Sequence, residues 1–228
     1  MAASPRVWLF DLDDTLHDAS TASMPHLHES FGSFIQEHLQ LSKAESDALR
    51  RRYWLRYGAT LLGLIRHHGV KAAHFLHHTH LLPGLEERLR SHRADLHALA
   101  RLKGRRVLLT NAPGAYARRV MRSLGIDKLF DGVFSIEDMH MFGQLRPKPD
   151  ARMLRRVAAR LKVHPSRCVL VEDTLVHQKA ARRVGMATVW MQRWQRAVAN
   201  PAAAMRLSRR PAYVDRRIRA LRTLHLGG

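Results

Sequence analysis

Four separate stretches carry polar groups of kinds that work together in catalysis. VWLFDLDDTLHD, residues 7 to 18, passes from a short apolar run into Asp11, Asp13, Asp14, Thr15 and Asp18. Thr110 closes RRVLLT, Lys148 sits in LRPKPD, and Glu172 and Asp173 end CVLVED. Acids at the mouth of a buried strand are costly unless a cation shares the site. A divalent cation with oxygen ligands is the natural partner. Several carboxylates, one hydroxyl and one ammonium suit a Mg2+-assisted reaction of a phosphate group. No Ser-His or Cys-His pair accompanies them, which argues against acyl transfer.

The elements around these groups place them together. Val7 to Phe10, RRVLLT and CVLVED are short apolar runs with branched residues, the pattern of buried strands. DGVFSIED and MATVWM add two more, and a short AYVD strand is expected in the tail. Helices are expected between them: ADLHALARLK, capped by Gly104, then PGAYARRVMRSL, PDARMLRRVAARLKV and HQKAARRV. Such alternation implies right-handed βαβ units and a Rossmann-like parallel sheet with helices on both faces. In an open parallel sheet, ligands bind outside the carboxyl ends of the strands. Asp11, Asp13, Thr110, Lys148, Glu172 and Asp173 should therefore meet in one crevice.

Residues 19 to 92 change character, with no strand signal and apolar positions at helical spacing. Leu27, Phe31, Phe34, Ile35 and Leu39 form one stripe. Ser42 and Glu45 form a capping box for a second helix expected to reach about His67, with Gly69 as its stop. Two shorter helices are expected after it, one from Lys71 to His78 and one beyond Pro83-Gly84. The expected organisation is an α/β core of residues 1–18 and 93–228 with an all-helical insertion of residues 19–92.

Composition narrows the function classes. Apolar residues make up 46% of 228, so a substantial core can form. A single cysteine, Cys168, excludes a disulfide framework and suits a reducing, cytoplasmic setting. No apolar run is long enough to span a membrane, and the N-terminal residues do not read as a secretion signal. A net charge of +20 favours polyanionic partners in principle. The arginines are spread over every expected helix, however, so a nucleic-acid partner is not expected. The 16 histidines show neither HExxH nor Cys/His finger spacing. His67, His68, His77, His78 and His80 read as surface or partly buried cap residues rather than ligands.

DLDDTL, LLTNAP, RPKPD and VEDT, in this order and spacing, resemble the four motifs of the haloacid dehalogenase-like hydrolases. With the helical insertion behind the first motif, the resemblance covers nearly the whole chain. TNAPGAYARRVMRSLGI, FSIEDM and FGQLRPKPD look most like the pyrimidine 5′-nucleotidase group. The resemblance implies a Mg2+-dependent phosphomonoesterase with an aspartyl-phosphate intermediate. Asp11 would be the nucleophile and a metal ligand, and Asp13 the acid/base with its carbonyl oxygen on the metal. Thr110, the backbone of Asn111, and Lys148 would bind the phosphate. Asp173 would ligate Mg2+, with Glu172 in a water-mediated or supporting role. Asp14 and Asp18 read as a loop acid or a cap. His177 stands where many relatives carry Asn, and its role stays open.

The insertion would act as a cap that closes over substrate. Tyr53 and Tyr57 are four residues apart, able to present a stacking face for a base with Arg52 or Arg56 beside them; His26 is a weaker candidate. The simpler reading is that Tyr53, Tyr57, Leu61 and Leu64 form a core stripe. A small phosphorylated metabolite is expected as partner, first a pyrimidine nucleoside 5′-monophosphate such as UMP or CMP, on a monomer or homodimer. The alternatives are a phosphatase for a sugar phosphate or other small metabolite, and a basic nucleic-acid-binding protein without turnover.

Overall fold

Short runs of branched and aromatic residues become the strands of a parallel sheet because both faces of that sheet are covered. The computed structural model describes residues 6–197, 205 and 207–225. The strands are β1 (Val7–Phe10), β2 (Arg105–Leu109), β3 (Gly132–Phe134), β4 (His140–Met141), β5 (Gln144–Leu145), β6 (Cys168–Glu172), β7 (Ala187–Met191) and β8 (Arg216–Ile218). Among the described residues one six-stranded sheet forms in the order β3-β2-β1-β6-β7-β8, every pair parallel. β4 and β5 make a separate antiparallel pair. β1 lies between β2 and β6 and is buried along its whole length. Its Val7 and Leu9 enter a core with Val107, Leu109, Leu170, Met153, Val157 and Ala181. This is the expected α/β Rossmann-like core.

Register decides what emerges at the strand ends. Phe10 pairs with Leu108 on one side and with Val171 on the other. One residue further, Asp11 donates its backbone N–H to the Val171 carbonyl at 3.0 Å. Asp11, Thr110, Glu172 and Asp173 therefore leave the sheet at the same edge.

The helices are α1 (Ala19–Ala22), α2 (Met24–Leu39), α3 (Lys43–Tyr57), α4 (Thr60–His68), α5 (Ala72–Thr79), α6 (Leu85–Arg88), α7 (Arg93–Arg101), α8 (Gly114–Ser123), α9 (Ala151–Arg160), α10 (Leu175–Arg183) and α11 (Arg193–Ala197). The chain separates into a unit of Met1–Ser20 with Leu89–Gly228, which carries the sheet, and a helical unit of Thr21–Arg88. In the helical unit the Ser42–Glu45 capping box opens α3 as its pattern requires. None of the helices of the described residues is long and apolar enough to cross a membrane.

Three local expectations are corrected. The long second helix of the insertion is two helices, because Gly58 takes a left-handed conformation (φ 78°) and its N–H caps Trp54. Gly104 does not cap α7, whose cap is the extended Leu102. Gly104 instead sits at φ 104°, where a Cβ would come within 2.4 Å of the Arg6 carbonyl. The tail strand is Arg216–Ile218 rather than Ala212 to Asp215: Val214 closes a turn onto Pro211. The Asp215 carboxylate there accepts the Thr188 N–H at 2.9 Å. After the strand comes a short 3-10 turn, Leu221–His225. Residues 198–204, 206 and 226–228 of that tail lie outside the described residues.

Many arginines donate to carbonyl groups left open at helix ends. Arg106 reaches the carbonyls of Leu99, Ala100 and Leu102, and Arg105 reaches Leu161. Part of the basic excess is thereby structural, meeting the orphan acceptors of helix C-termini.

Gly104→Ala should lower the unfolding free energy by roughly 1–3 kcal/mol in a urea melt, through its positive φ and the Arg6 clash. A change within a few tenths would show that the approach of residues 6 and 104 is not constrained.

Candidate active site

The sheet edge brings a lysine and two acids into direct contact. Lys148 Nζ donates to Asp11 Oδ1 at 2.6 Å and to Glu172 Oε2 at 2.7 Å. All three are buried, Lys148 at 2% exposure and Glu172 at 1%. His177, in the first turn of α10, places Nδ1 at 3.0 Å from the same Glu172 oxygen without the alignment of a hydrogen bond. The lysine reaches this point from a loop fixed by Asn111. Asn111 Nδ2 donates to the Lys148 carbonyl at 3.0 Å, and its Oδ1 accepts the Lys148 N–H at 2.9 Å.

Thr110 lies beside this cluster with its hydroxyl oxygen accepting the Ala112 N–H at 3.0 Å. Among the described residues no acceptor takes the Thr110 hydroxyl proton. Asp13 is held on the other side of the first motif. Its Oδ1 accepts the Tyr116 hydroxyl at 2.8 Å and lies 3.0 Å from His17 Nε2. Tyr116 on α8 is 1% exposed and His17 is wholly buried. Asp173 receives Gln195 Nε2 at 2.8 Å on Oδ2 and the Thr174 hydroxyl at 3.2 Å on Oδ1. Trp190 Nε1 holds the Asp173 carbonyl at 2.7 Å.

The charges are unequal. Burial, then the Glu172 carboxylate, push Asp11 up to about 8. Burial, then Glu172 and Asp11, hold Asp173 well above the ordinary carboxylate range. Burial opposes ionisation of Glu172 too, but Lys148 and His177 outweigh it and hold Glu172 below its ordinary range. Burial would lower Lys148; Asp11 and Glu172 reverse that and keep the ammonium charged. One lysine thus faces three buried carboxylates, and the deficit is positive charge.

Ligand oxygens of Asp11, Glu172 and Asp173 lie within 4.8 Å of one another. An all-oxygen set short of positive charge fits a hard divalent cation of the Mg2+ type. Asp11 and Asp173 are the better placed for this, because Glu172 is already engaged by Lys148 and His177.

The haloacid dehalogenase-like hydrolase family matches this chain over residues 5–185, with Asp11, Asp13, Thr110, Lys148, Glu172 and Asp173 all inside the match. The chain belongs to that family. Phosphate metabolism protein 8 of Saccharomyces cerevisiae is 28% identical over 138 residues, 56% of this chain and 42% of its own length. The chain thus matches less than half of that curated relative. Among solved structures, a HAD phosphatase from Thermococcus onnurineus is similar with a TM-score of 0.64 at 22% identity, covering 98% of both chains. YfnB from Bacillus subtilis, bound to magnesium, is similar with a TM-score of 0.61 at 17% identity, again covering 98% of both.

The expected site residues divide clearly. Asp11, Lys148 and Glu172 are in contact, with Asp173 beside them and Asp13 and Thr110 on the same sheet edge. Asp14 is not an exposed loop acid: it is buried, takes φ 54° and accepts Ser20 N–H and Oγ–H. In the helical unit, Tyr53 is 4% exposed and packs on Gly63, where a Cβ would meet its ring at 2.2 Å. Its hydroxyl meets His68 at 2.7 Å, and Arg52 lies over the same ring at 5.3 Å. Tyr53 therefore belongs to the core stripe and offers no free face for a base. Tyr57 is half-buried, its hydroxyl on His67 at 2.5 Å.

Sequence reasoning missed the side chain of Asn111, which clamps the lysine loop, and it missed His17 and Tyr116. His17 lies inside the first motif, four residues from Asp13, and that spacing was the available signal. Tyr116 carried none, since 103 residues separate it from Asp13.

A cation at the acidic cluster must displace protons, and this sets the direction of a pH effect. Between the ordinary carboxylate value of 3.8 and about 8, the metal-free fold holds a proton on Asp11 that the unfolded chain has lost. Stability from this group therefore falls as pH rises through that window, and a bound cation restores it. The melting-temperature gain from Mg2+ should be several degrees larger near about pH 8 than near about pH 6. An equal gain at both, or a larger one in acid, would contradict the assignment of Asp11 as a protonated ligand site.

Proposed function

We propose that this chain is a Mg2+-dependent phosphomonoesterase in which Asp11 is the nucleophile. The observation that carries the reading is the Lys148 ammonium 2.6 Å from Asp11, in one acidic cluster with Glu172 and Asp173. A carboxylate approaching a phosphate dianion is repelled unless cations screen both charges. Mg2+ bound by Asp11, Asp173 and the Asp13 carbonyl, with Glu172 in support, would supply that screening and orient the phosphoryl group.

The residues then have complementary tasks. An Asp11 carboxylate oxygen forms the bond to phosphorus as the ester P–O bond breaks, and protonated Asp13 gives its proton to the departing alcohol oxygen. Water next attacks the phosphorus of the aspartyl-phosphate. Asp13, now a carboxylate, takes the water's proton; inorganic phosphate leaves and Asp11 is regenerated. Tyr116 and His17 fix the orientation of Asp13 for both transfers. Thr110 and the Asn111 N–H hold phosphoryl oxygens, while the Asn111 side chain keeps Lys148 in register. The name of the yeast relative, Phosphate metabolism protein 8, is in keeping with a phosphate ester as substrate.

We further propose a small phosphorylated metabolite as substrate, with UMP and CMP the first to test and sugar phosphates the alternative. The helical unit would provide the selective contacts. The segments behind the pyrimidine resemblance also have fold-building tasks: Glu137 of FSIEDM accepts the Gly114 N–H of PGAY at 3.0 Å. Ser135 and Asp138 form a second capping box.

Purified protein should release phosphate from an aryl phosphate with Mg2+ and stop in EDTA. Asp11→Asn should reduce kcat by roughly a thousandfold or more with the fold intact. An inert wild type that binds Mg2+ would refute the phosphatase reading. UMP and CMP should be hydrolysed faster than AMP, GMP and hexose phosphates; equal rates would remove the nucleotide preference alone.

A further inference from the structure

Several histidines of the helical unit gather in one place, far in sequence from the catalytic motifs. α2 and α5 pack through Phe34 and Phe75, whose rings meet edge to face at 5.1 Å. Above that apolar floor opens a cavity of about 520 Å3 lined by Glu29, Ser33, Glu37, His38, His74 and His78 among others. His74 and His78 are four residues apart on α5, so both project from one helix face. Their ring centroids are 4.4 Å apart. His38 comes from α2 and stands 6.0 Å from His74, its ring stacked on Phe34 at 5.2 Å.

We propose that His38, His74 and His78 form a binding site for a borderline divalent transition metal of the Zn2+ type, linking α2 to α5.

The chemistry separates this site from the acidic cluster. Imidazole nitrogen suits Zn2+, Ni2+ or Cu2+, whereas Mg2+ takes carboxylate and water oxygen. Two histidines at i and i+4 on a helix already make a chelate, and a third from a neighbouring helix completes three protein ligands. Glu37, adjacent to His38, offers an oxygen for a fourth position. Among the described residues, the group whose ligand atoms already converge is the acidic one, so the three imidazoles must turn to share an ion. They can do so at little cost, because all three are exposed. Among the described residues no hydrogen-bond partner occupies their ring nitrogens. Neighbouring histidines are less suited: His67 and His68 are engaged by Tyr57 and Tyr53.

The test is a calorimetric titration of the full chain with Zn2+ in excess Mg2+, which keeps the acidic cluster filled. Wild type should bind one Zn2+ with micromolar affinity and melt at a higher temperature with it. The double variant H74Q/H78Q and the single variant H38Q should each weaken binding by roughly tenfold or more. H97Q, an exposed histidine on α7, should change nothing. Co2+ gives a second readout: its visible absorption on wild type should report imidazole ligation and be lost in H74Q/H78Q. Zn2+ binding that is undiminished in H74Q/H78Q, or absent from wild type, would overturn the proposal. Phosphate release should be the same in H74Q/H78Q as in wild type, so this site and the catalytic reading fail separately.

Discussion

One buried ammonium holds the arrangement together. Lys148 bridges Asp11 and Glu172, which arrive from different strands, at distances near the lower limit of charged hydrogen bonds. Breaking a buried pair by removing one partner costs about 3–5 kcal/mol, because the remaining charge is stranded. The fold therefore has to deliver three groups to one point. The β1–β6 register does this for the acids, and the Asn111 side chain does it for the lysine by bonding both backbone groups of residue 148. Filling the edge of a parallel sheet in this way is expensive, and that expense is evidence that the site serves chemistry rather than stability.

The same interaction divides the acids by task. Glu172, held ionised by Lys148 and His177, acts as the fixed counter-charge. Burial and its field raise Asp11 and Asp173 above the ordinary carboxylate range. Asp13 stands apart from this competition, with Tyr116 and His17 as its partners. In the proposed mechanism this keeps the Asp13 carboxylate, the proton-transfer group, apart from the carboxylates that would bind metal. His177, where relatives often carry Asn, places its imidazole 3.0 Å from Glu172.

The strands and the motif residues were legible because their signals are local. The runs of β1, β6 and β7 are apolar and end in polar groups, and parallel pairing of those runs requires their ends to share an edge. Gly58 was read through, although a glycine inside a helical pattern is tolerated as often as it stops one. Gly104 was taken for a helix cap when its positive φ serves a close approach to Arg6, a contact between residues distant in sequence. Tyr116 and the Asn111 side chain were invisible for the same reason, since their partners lie 103 and 37 positions away. A net charge of +20 suggests a polyanion partner, yet arginines such as Arg105 and Arg106 are spent on carbonyl groups at helix ends.

The central claim is that Asp11 attacks phosphorus, and the most direct measurement is to trap the bond it forms. Protein quenched during turnover of an aryl phosphate should be treated with borohydride, which reduces an aspartyl-phosphate to homoserine, and its peptides analysed by mass spectrometry. The account predicts homoserine at position 11 and at no other aspartate, dependent on both substrate and Mg2+. Rapid phosphate release with residue 11 unmodified, or with reduction at Asp13 or Asp173 instead, would contradict it.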